Sequence, residues 1–503
     1  MPSLPEPSSL WIDSAAGPEL PALDGRHTAD VAIVGGGIVG IATAYRLRTA
    51  GVRVSVIEAG RILRGTTGHT TAKLTAGHGR IYTHLEKHFG EGDARRYAEA
   101  SEWGIAEIER LSTELDIDCD FERRANVVYT EDEGDTEDLK EEAAAAGRAG
   151  LNASFRESLD LPYPVAGAVY VSGEAQFHPR KLLLGLAERV PGEGSAVYEG
   201  SRVTGIQDGN PCVVRTAGGR IEAPHVIVAT NMPILHRGFH YARSFPKRHY
   251  AIAGPVSHMP EQMYLSTESS PHSIRTVPVL GERMLLVLGE SHAVGERNDT
   301  EACYQRLADW AAERFGLSDV RYRWSAQDWY SADRVPLIGP ISPTTRRILT
   351  ATGFGGWGMA PGIAASRVLA DRVLDQPNPW ASLYSPRRAK LAALPKLIGE
   401  NMKVGIRRTA DMLPRPSGGL KDVAPGEGSI VRYRGRRVAA YRDPGGRIHA
   451  VSPKCTHLGC DVEWNGAERS WDCPCHGSRF GTDGAVLNGP ATKPLERRDV
   501  NED

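Results

Sequence analysis

The stretch from Asp30 to Glu58 limits the fold of this chain more than any other. Val31–Val34 is an apolar run of buried-strand type, and Gly35-Gly36-Gly37-Ile38-Val39-Gly40 follows it directly. Ile38–Thr49 carries apolar residues at helical spacing, and Val52–Ile57 is β-branched at four of six positions. Strand, glycine turn, helix and strand make a βαβ unit, so a parallel α/β sheet begins here. A Gly-x-Gly-x-x-Gly turn at that junction builds a dinucleotide cradle. Gly35 permits the tight turn, Gly37 lets the backbone approach a pyrophosphate, and Gly40 lets the helix pack close to the strand. The helix N-terminus adds unpaired N–H groups and a partial positive charge. Glu58, 18 residues after Gly40, is placed to accept from a ribose hydroxyl and to repel a 2′-phosphate.

The rest of the chain sets bounds on function. At about 150 residues per domain, 503 residues suggest roughly three domains. With 60 basic and 62 acidic residues the net charge is −2, which argues against a dedicated nucleic-acid binder. No stretch approaches the ~18 uncharged apolar residues of a membrane span, so no transmembrane segment is expected. The first thirty residues lack a basic start and an apolar core, so they do not read as a signal peptide, and a cytoplasmic location is expected. Residues 1–29, with five prolines, read as an extended arm over the first domain. Residues 91–117 read as one long amphipathic helix. Residues 131–142 hold eight acids and one Lys and read as a solvated helix start or loop. Ser385–Pro416 carries eight Lys or Arg against two acids and reads as a linker with a helical piece near 389–410. That basic segment suits an interdomain brace, an anionic membrane surface or an acidic redox partner. From Lys421 the pattern is short strands and Gly/Pro turns, an all-β module.

Further motifs refine the first site. Ala29–Gly60 with Gly65-Thr66-Thr67-Gly68-His69 resembles the N-terminus of the D-amino-acid oxidase/sarcosine dehydrogenase superfamily of flavoproteins. Phe177-His178-Pro179, Val203, Val226–Thr230, Asp333-Arg334-Val335-Pro336-Leu337-Ile338-Gly339 and Gly353–Gly358 follow in that family's order. The resemblance covers about residues 28–385. It implies an FAD-binding Rossmann-like domain with an interleaved substrate domain, spanning 30–385. The FAD-binding parts fall near 30–90, 170–235 and 325–385, and the substrate parts near 91–169 and 236–324. It also implies that Gly35, Gly37, Gly40, Glu58, Thr66, Thr67, His69, Val203, Thr230, Asp333, Gly353, Gly355, Gly356 and Gly358 contact FAD. Gly353-Phe354-Gly355-Gly356-Trp357-Gly358 also fits Gly-x-Gly-x-x-Gly. No βαβ unit or acid-capped strand continues from it, which favours a loop beside the flavin over a second nucleotide site. His69 sits where one branch of the family attaches its flavin covalently, with Gly68 in place of the usual Trp; a His that only hydrogen-bonds is the alternative.

The second site lies near the C-terminus. Four of the seven cysteines fall between Cys455 and Cys475. Cys455-Thr456-His457 and Cys473-Pro474-Cys475-His476 could bind zinc. Their Cys-x-His…Cys-x-x-His order is that of a Rieske [2Fe–2S] centre, in which two thiolates hold one iron and two imidazoles the other. Both loops resemble those of cytochrome bc-complex Rieske proteins, and Gly489-Pro490 resembles their proline loop. The resemblance implies Cys455, His457, Cys473 and His476 as ligands, a disulfide between Cys460 and Cys475, and Ser478 as a donor to a cluster sulfur. Phe480 stands where those proteins have a donating Tyr, which implies a lower potential within the Rieske range of roughly −150 to +300 mV. Domains are therefore expected at 1–29 (arm), 30–385 (FAD oxidoreductase), 386–420 (linker) and 421–503 (small all-β Rieske domain). Cys119, Cys212 and Cys303 read as core residues.

Together the sites imply an FAD-dependent dehydrogenase. A small amine-type substrate would give a hydride to FAD, and electrons would pass through the cluster to an external one-electron acceptor protein, or in the reverse direction from a donor protein. The rivals are an NAD(P)H-fed reductase for an oxygenase and a redox sensor. Catalytic candidates are His69, Lys73, His78, Arg248 and Tyr330, with His249, Tyr250 and Trp357 nearby. Asp328 stands near the family's carboxylate-binding Arg, which favours a cationic amine unless the side chain faces away.

Overall fold

The computed structural model describes residues 4–297, 299–411 and 418–500. The βαβ unit forms as expected. Val31–Val34 and Val54–Ile57 pair in parallel, and the helix Ile38–Thr49 joins them. They lie inside a six-stranded sheet in the order 196–198, 54–57, 31–34, 225–228, 348–352, 337–340. Only the last pair is antiparallel. The strands 31–34, 54–57 and 348–352 are buried at every residue, as a parallel sheet covered on both faces requires. Ala360–Val373 packs against Ile38–Thr49, and a Cβ on Gly362 would stand only 3.4 Å from Ile38.

An eight-stranded mixed sheet forms the substrate side. Its order begins Tyr322–Ser331, Ser244–Gly254, Glu282–Ala293 and Ser273–Val279. The long helix Glu91–Glu114 is present and packs on Ala360–Val373. The C-terminal module holds a three-stranded sheet (428–433, 436–442, 448–451) and a four-stranded one (463–465, 470–472, 479–481, 486–488), both antiparallel.

Three local expectations change. The N-terminal arm is not simply extended. Leu10–Ser14 is a helix that buries Leu10 and Trp11, and Gly25–Thr28 pairs in parallel with 219–222. Apolar burial and strand pairing outweigh the prolines around them. The acidic run 131–142 is not wholly solvated. Thr136–Arg148 is a helix, and buried Glu142 accepts from the backbone N–H groups of Tyr82 and Thr83 at 2.7 and 3.0 Å. The helical part of the linker begins at Leu394 and ends at Ala410. Cys119, Cys212 and Cys303 are buried and unpaired, as expected of core residues.

Candidate flavin and iron–sulfur sites

A cavity of about 770 Å³ opens at the C-terminal ends of the parallel strands, where α/β sheets bind ligands. Gly35, Gly36 and Gly37 form its floor with Glu58, Thr66 and Thr67. Gly35 has φ +108°, and a Cβ there would collide with the Ala229 carbonyl. A Cβ on Gly40 would strike the carbonyl of Gly35, so the glycine there serves close packing and does not itself reach the cavity. Glu58 accepts from Gly36 N and Gly60 N, both at 2.8 Å. Thr67 Oγ1 accepts from Ile38 N at the helix start. The bare glycine floor, with the Glu58 carboxylate and the Thr67 hydroxyl beside it, fits the pyrophosphate and ribose of FAD.

The family-derived residues divide. Val203, Thr230, Gly355, Gly356 and Gly358 line the cavity with His69. Val203 does so from a loop before the strand Gly205–Gln207 rather than from within a strand. Asp333 and Gly353 do not line it. Asp333 is bound by Arg388 at 2.7 and 2.8 Å. Burial works against its charge, but Arg388 outweighs this and holds the carboxyl below its usual range. The residue therefore fastens the linker to the turn. Gly353 (φ +76°) lies under Ser331 and lets the loop turn.

His69 faces the cavity with Nδ1 2.9 Å from the Gly65 carbonyl. Burial lowers its pKa. Gly68 is bare because the N-terminal helix occupies the space beside it: a Cβ would meet the Leu63 carbonyl at 2.5 Å and Ile12 at 3.3 Å.

Strand alternation decides which polar residues reach the other end of the cavity. On Ser244–Gly254, Lys247 and His249 line it and Arg248 does not. His249 Nε2 lies 3.0 Å from Tyr330 Oη, and its Nδ1 lies 2.5 Å from Ser291 Oγ. Burial holds His249 neutral, with a pKa of about 3. Lys247 sits 5.1 Å above the Tyr330 ring. His78 stacks on Trp357 at 4.7 Å and bonds Tyr97 Oη; burial takes its pKa to about 3. Lys73 Nζ donates to the Tyr264 carbonyl at 2.6 Å, and burial drives its pKa well below the ordinary lysine value. Asp328 lines the cavity, but its carboxylate is engaged by the main chain. Its two oxygens accept from Trp329 N at 2.9 Å and Gly356 N at 2.7 Å, which secures the second glycine loop.

Arg248 lies outside this cavity, on the opposite face of its strand. It is fully buried and bonds Asp472 of the C-terminal module at 2.6 Å, with Ser325 and Gln327 as further partners. That contact takes it out of the catalytic set and makes it an interdomain bolt.

The cluster site consists of two matching loops. Cys455 N donates to Cys460 O at 2.8 Å, and Cys473 N donates to Ser478 O at 2.7 Å. Each loop turns on a glycine of positive φ, Gly459 (+82°) and Gly477 (+77°), whose N–H bonds back to the first cysteine. Cys460 and Cys475 form the disulfide between them. Their sulfurs are therefore spent, although they lie close to that of Cys473. Cys455 and Cys473 remain as buried thiols. The Cys473 thiol, hydrogen-bonded to Cys455, holds the latter at about 7. Nδ1 of His457 and Nδ1 of His476 are both buried with no hydrogen-bond partner. Burial lowers the two imidazoles to about 3 and about 4, so they are neutral. Two thiols and two neutral imidazoles with orphaned nitrogens fit the donor set of a Rieske cluster. Ser478 Oγ accepts from Ala491 N at 3.0 Å, and Phe480 is fully buried.

The two sites share a wall. Along Tyr322–Ser331, Ala326, Asp328 and Tyr330 line the flavin cavity. Gln327 Nε2 donates to Gly477 O at 2.7 Å, and Trp329 Nε1 donates to His476 O at 3.4 Å. Trp329 also reaches the cavity. Leu487, Asn488, Gly489, Ala491 and Thr492 of the C-terminal module complete the cavity wall. On the far side of the cluster loops, His236 stacks on His457 at 4.9 Å, and Tyr241 meets both ligand imidazoles edge-on at 5.1 Å. Sequence reasoning missed Lys247, Ser291, Trp329, His236 and Tyr241. Strand alternation could have paired Lys247 with His249; nothing local links 236–241 to the cysteine loops.

Comparison with known proteins agrees with both sites. The DAO family model, FAD dependent oxidoreductase, matches residues 30–372, and the Rieske [2Fe-2S] domain model matches 416–499. The Bacillus subtilis Rieske 2Fe-2S iron-sulfur protein YhfW is 38% identical over 499 residues, 98% of each chain. Gamma-glutamylputrescine oxidoreductase of Escherichia coli is 33% identical over 363 residues, 68% of this chain and 83% of that one. Glycine oxidase from Geobacillus kaustophilus superimposes with a TM-score of 0.59 at 21% identity, covering 72% of this chain and 99% of that one. The chain belongs to the DAO family of FAD-dependent oxidoreductases and carries a C-terminal Rieske [2Fe-2S] domain.

Proposed function

We propose that this protein is a dehydrogenase for a small amine or amino acid, with electrons leaving through the Rieske cluster to an external one-electron acceptor. The observation that carries this reading is the strand Tyr322–Ser331. Its alternate residues face the flavin cavity and the cluster loops, so a single strand separates the two redox sites. Bound FAD supplies the two-electron oxidant, and the cluster offers a one-electron outlet.

The residues at the substrate end have separable tasks. Neutral His249 is held in the cavity wall by Tyr330 and Ser291, and burial makes it too weak a base to take the proton of a substrate ammonium, so this end of the cavity suits the free amine that oxidation needs. Lys247 and Arg334 line the same cavity and suit a substrate carboxylate. The Asp328 carboxylate on the same cavity is engaged by Trp329 N and Gly356 N, which offsets its repulsion of such a group. The resemblance to a protein named gamma-glutamylputrescine oxidoreductase supports C–N chemistry.

An NAD(P)H-fed reductase would need a second nucleotide cradle. Among the described residues, Gly353–Gly358 leads into the helix Ala360–Val373, and no strand of the six-stranded sheet follows it. The test is an anaerobic visible titration of the purified holoprotein with NADH, NADPH and a panel of amines and amino acids. Bleaching of the flavin by one of the last group, with the nicotinamides inert, is expected. Rapid bleaching by NADH would overturn the proposal.

A further inference from the structure

The linker helix Leu394–Ala410 has one face held and one face bare. On the held face, Asn401 Nδ2 donates to Ala242 O at 2.8 Å, and Lys396 lies over the Phe245 ring. Further along, Val404 packs on the core of the cluster domain and Arg407 pairs with Glu463. On the bare face stand Leu394, Ile398, Met402 and Ile406, each between 47 and 65% exposed. At 3.6 residues per turn these four, with Pro395, Gly399, Gly405 and Thr409, fill one continuous arc that contains no charged residue. Exposed Lys403 borders the arc on one side and exposed Arg408 on the other. Leu391, just before the helix, is 84% exposed. Phe239, on the turn that ends at Ala242, is exposed as well.

A monomer's surface seldom leaves so ordered an apolar stripe in water. We propose that this helix lies flat in the surface of an anionic lipid bilayer, with its apolar arc among the acyl chains and its cations among the head groups. Three observations select this occupant. The stripe is one face of a single helix, and the cavity of about 230 Å³ beside its start takes in Leu394 but none of Ile398, Met402 and Ile406. Around it Arg387, Lys403 and Arg408 are exposed, and cations there complement phospholipid head groups. A second copy of the chain laid along the same face would set Lys403 and Arg408 against their own like. No helix among the described residues is long and apolar enough to cross a membrane, so the contact is one of lying on, not spanning.

The test is co-sedimentation of the full-length holoprotein with vesicles of phosphatidylcholine alone, and of equal parts phosphatidylcholine and phosphatidylglycerol. Binding to the anionic vesicles is expected, weakening as salt is raised. The double variant Ile398→Glu/Met402→Glu should bind about tenfold more weakly or worse. Its side chains are exposed, so its flavin and cluster spectra should be unchanged. Lys403→Glu/Arg408→Glu should lose the preference for anionic lipid. Protein that stays in the supernatant with both vesicle types would overturn the proposal. So would equal vesicle binding by Ile398→Glu/Met402→Glu. A concentration-dependent dimer that this variant abolishes, without vesicle binding, would reassign the face to self-association.

Discussion

The flavin cradle and the cluster site are built by opposite means. The cradle draws on segments from Gly35 to Gly358, and most of what it offers is main chain: bare glycines, helix-start N–H groups and strand ends. The cluster site draws on two short loops between Cys455 and Ser478, and what it offers is four side chains. A backbone site tolerates changes of side chain but no added Cβ. A side-chain site tolerates no change of ligand, while its loops can sit on any scaffold that holds them. The same contrast explains why the two could be joined: the cluster loops need only a surface to dock on, and Tyr322–Ser331 provides one.

The largest effect should come from Cys455→Ser. The cluster's electron paramagnetic resonance signal should vanish while FAD content stays at one per chain, and substrate should still bleach the flavin. Loss of both cofactors in a folded protein would break the contrast. Next comes the bolt between the domains. Arg248→Ala removes one of the two cations on buried Asp472, leaving Arg479, Asn465 and Ser470 on it, and should cost about 1.5–3 kcal/mol, read in thermal or denaturant unfolding. Burial works against the Asp472 charge, but Arg248 and Arg479 outweigh it and hold the carboxyl at about 2, against 3.8 when free. The pair's contribution is therefore complete above pH 3.8 and fades as pH falls towards 2, so acid should narrow the gap between wild type and variant.

Gly35→Ala should act on the other site alone. Its positive φ costs a residue with a side chain about 1–3 kcal/mol, before the collision with the Ala229 carbonyl is counted. FAD should be lost on dialysis while the cluster spectrum remains; a variant that keeps FAD and loses the cluster would invert the comparison. The smallest change is Tyr330→Phe. It removes one hydrogen bond to His249, worth about 0.5–1.5 kcal/mol. Steady-state rates should fall by up to about tenfold at neutral pH, with both cofactors retained.

Local periodicity made much of this legible. The βαβ unit, the long helix Glu91–Glu114 and both cysteine loops depend on residues close in sequence, where spacing carries the signal. Relations between distant strands were not legible. Arg248 and His249 are neighbours with the same strand propensity, and only the pairing of 244–254 with 322–331 and 282–293 decides which of them meets the flavin cavity. Whether the Asp328 charge faces substrate stayed open in the sequence, because nothing local shows the Gly356 N–H from which it accepts. Asp333 read as a flavin contact, since its partner Arg388 lies 55 residues on. The arm's helix was hidden by its prolines, because Trp11 gains its burial from Thr70 and His178, far along the chain.

Part of the flavin cavity wall belongs to the C-terminal module, through Leu487 to Thr492. This ties the lifetimes of two cofactors together. The way the module is seated on Gln327, Trp329 and Arg248 therefore bears on what the cavity holds. Cofactor retention, ordinarily a property of a nucleotide-binding domain, here becomes a property of the whole chain.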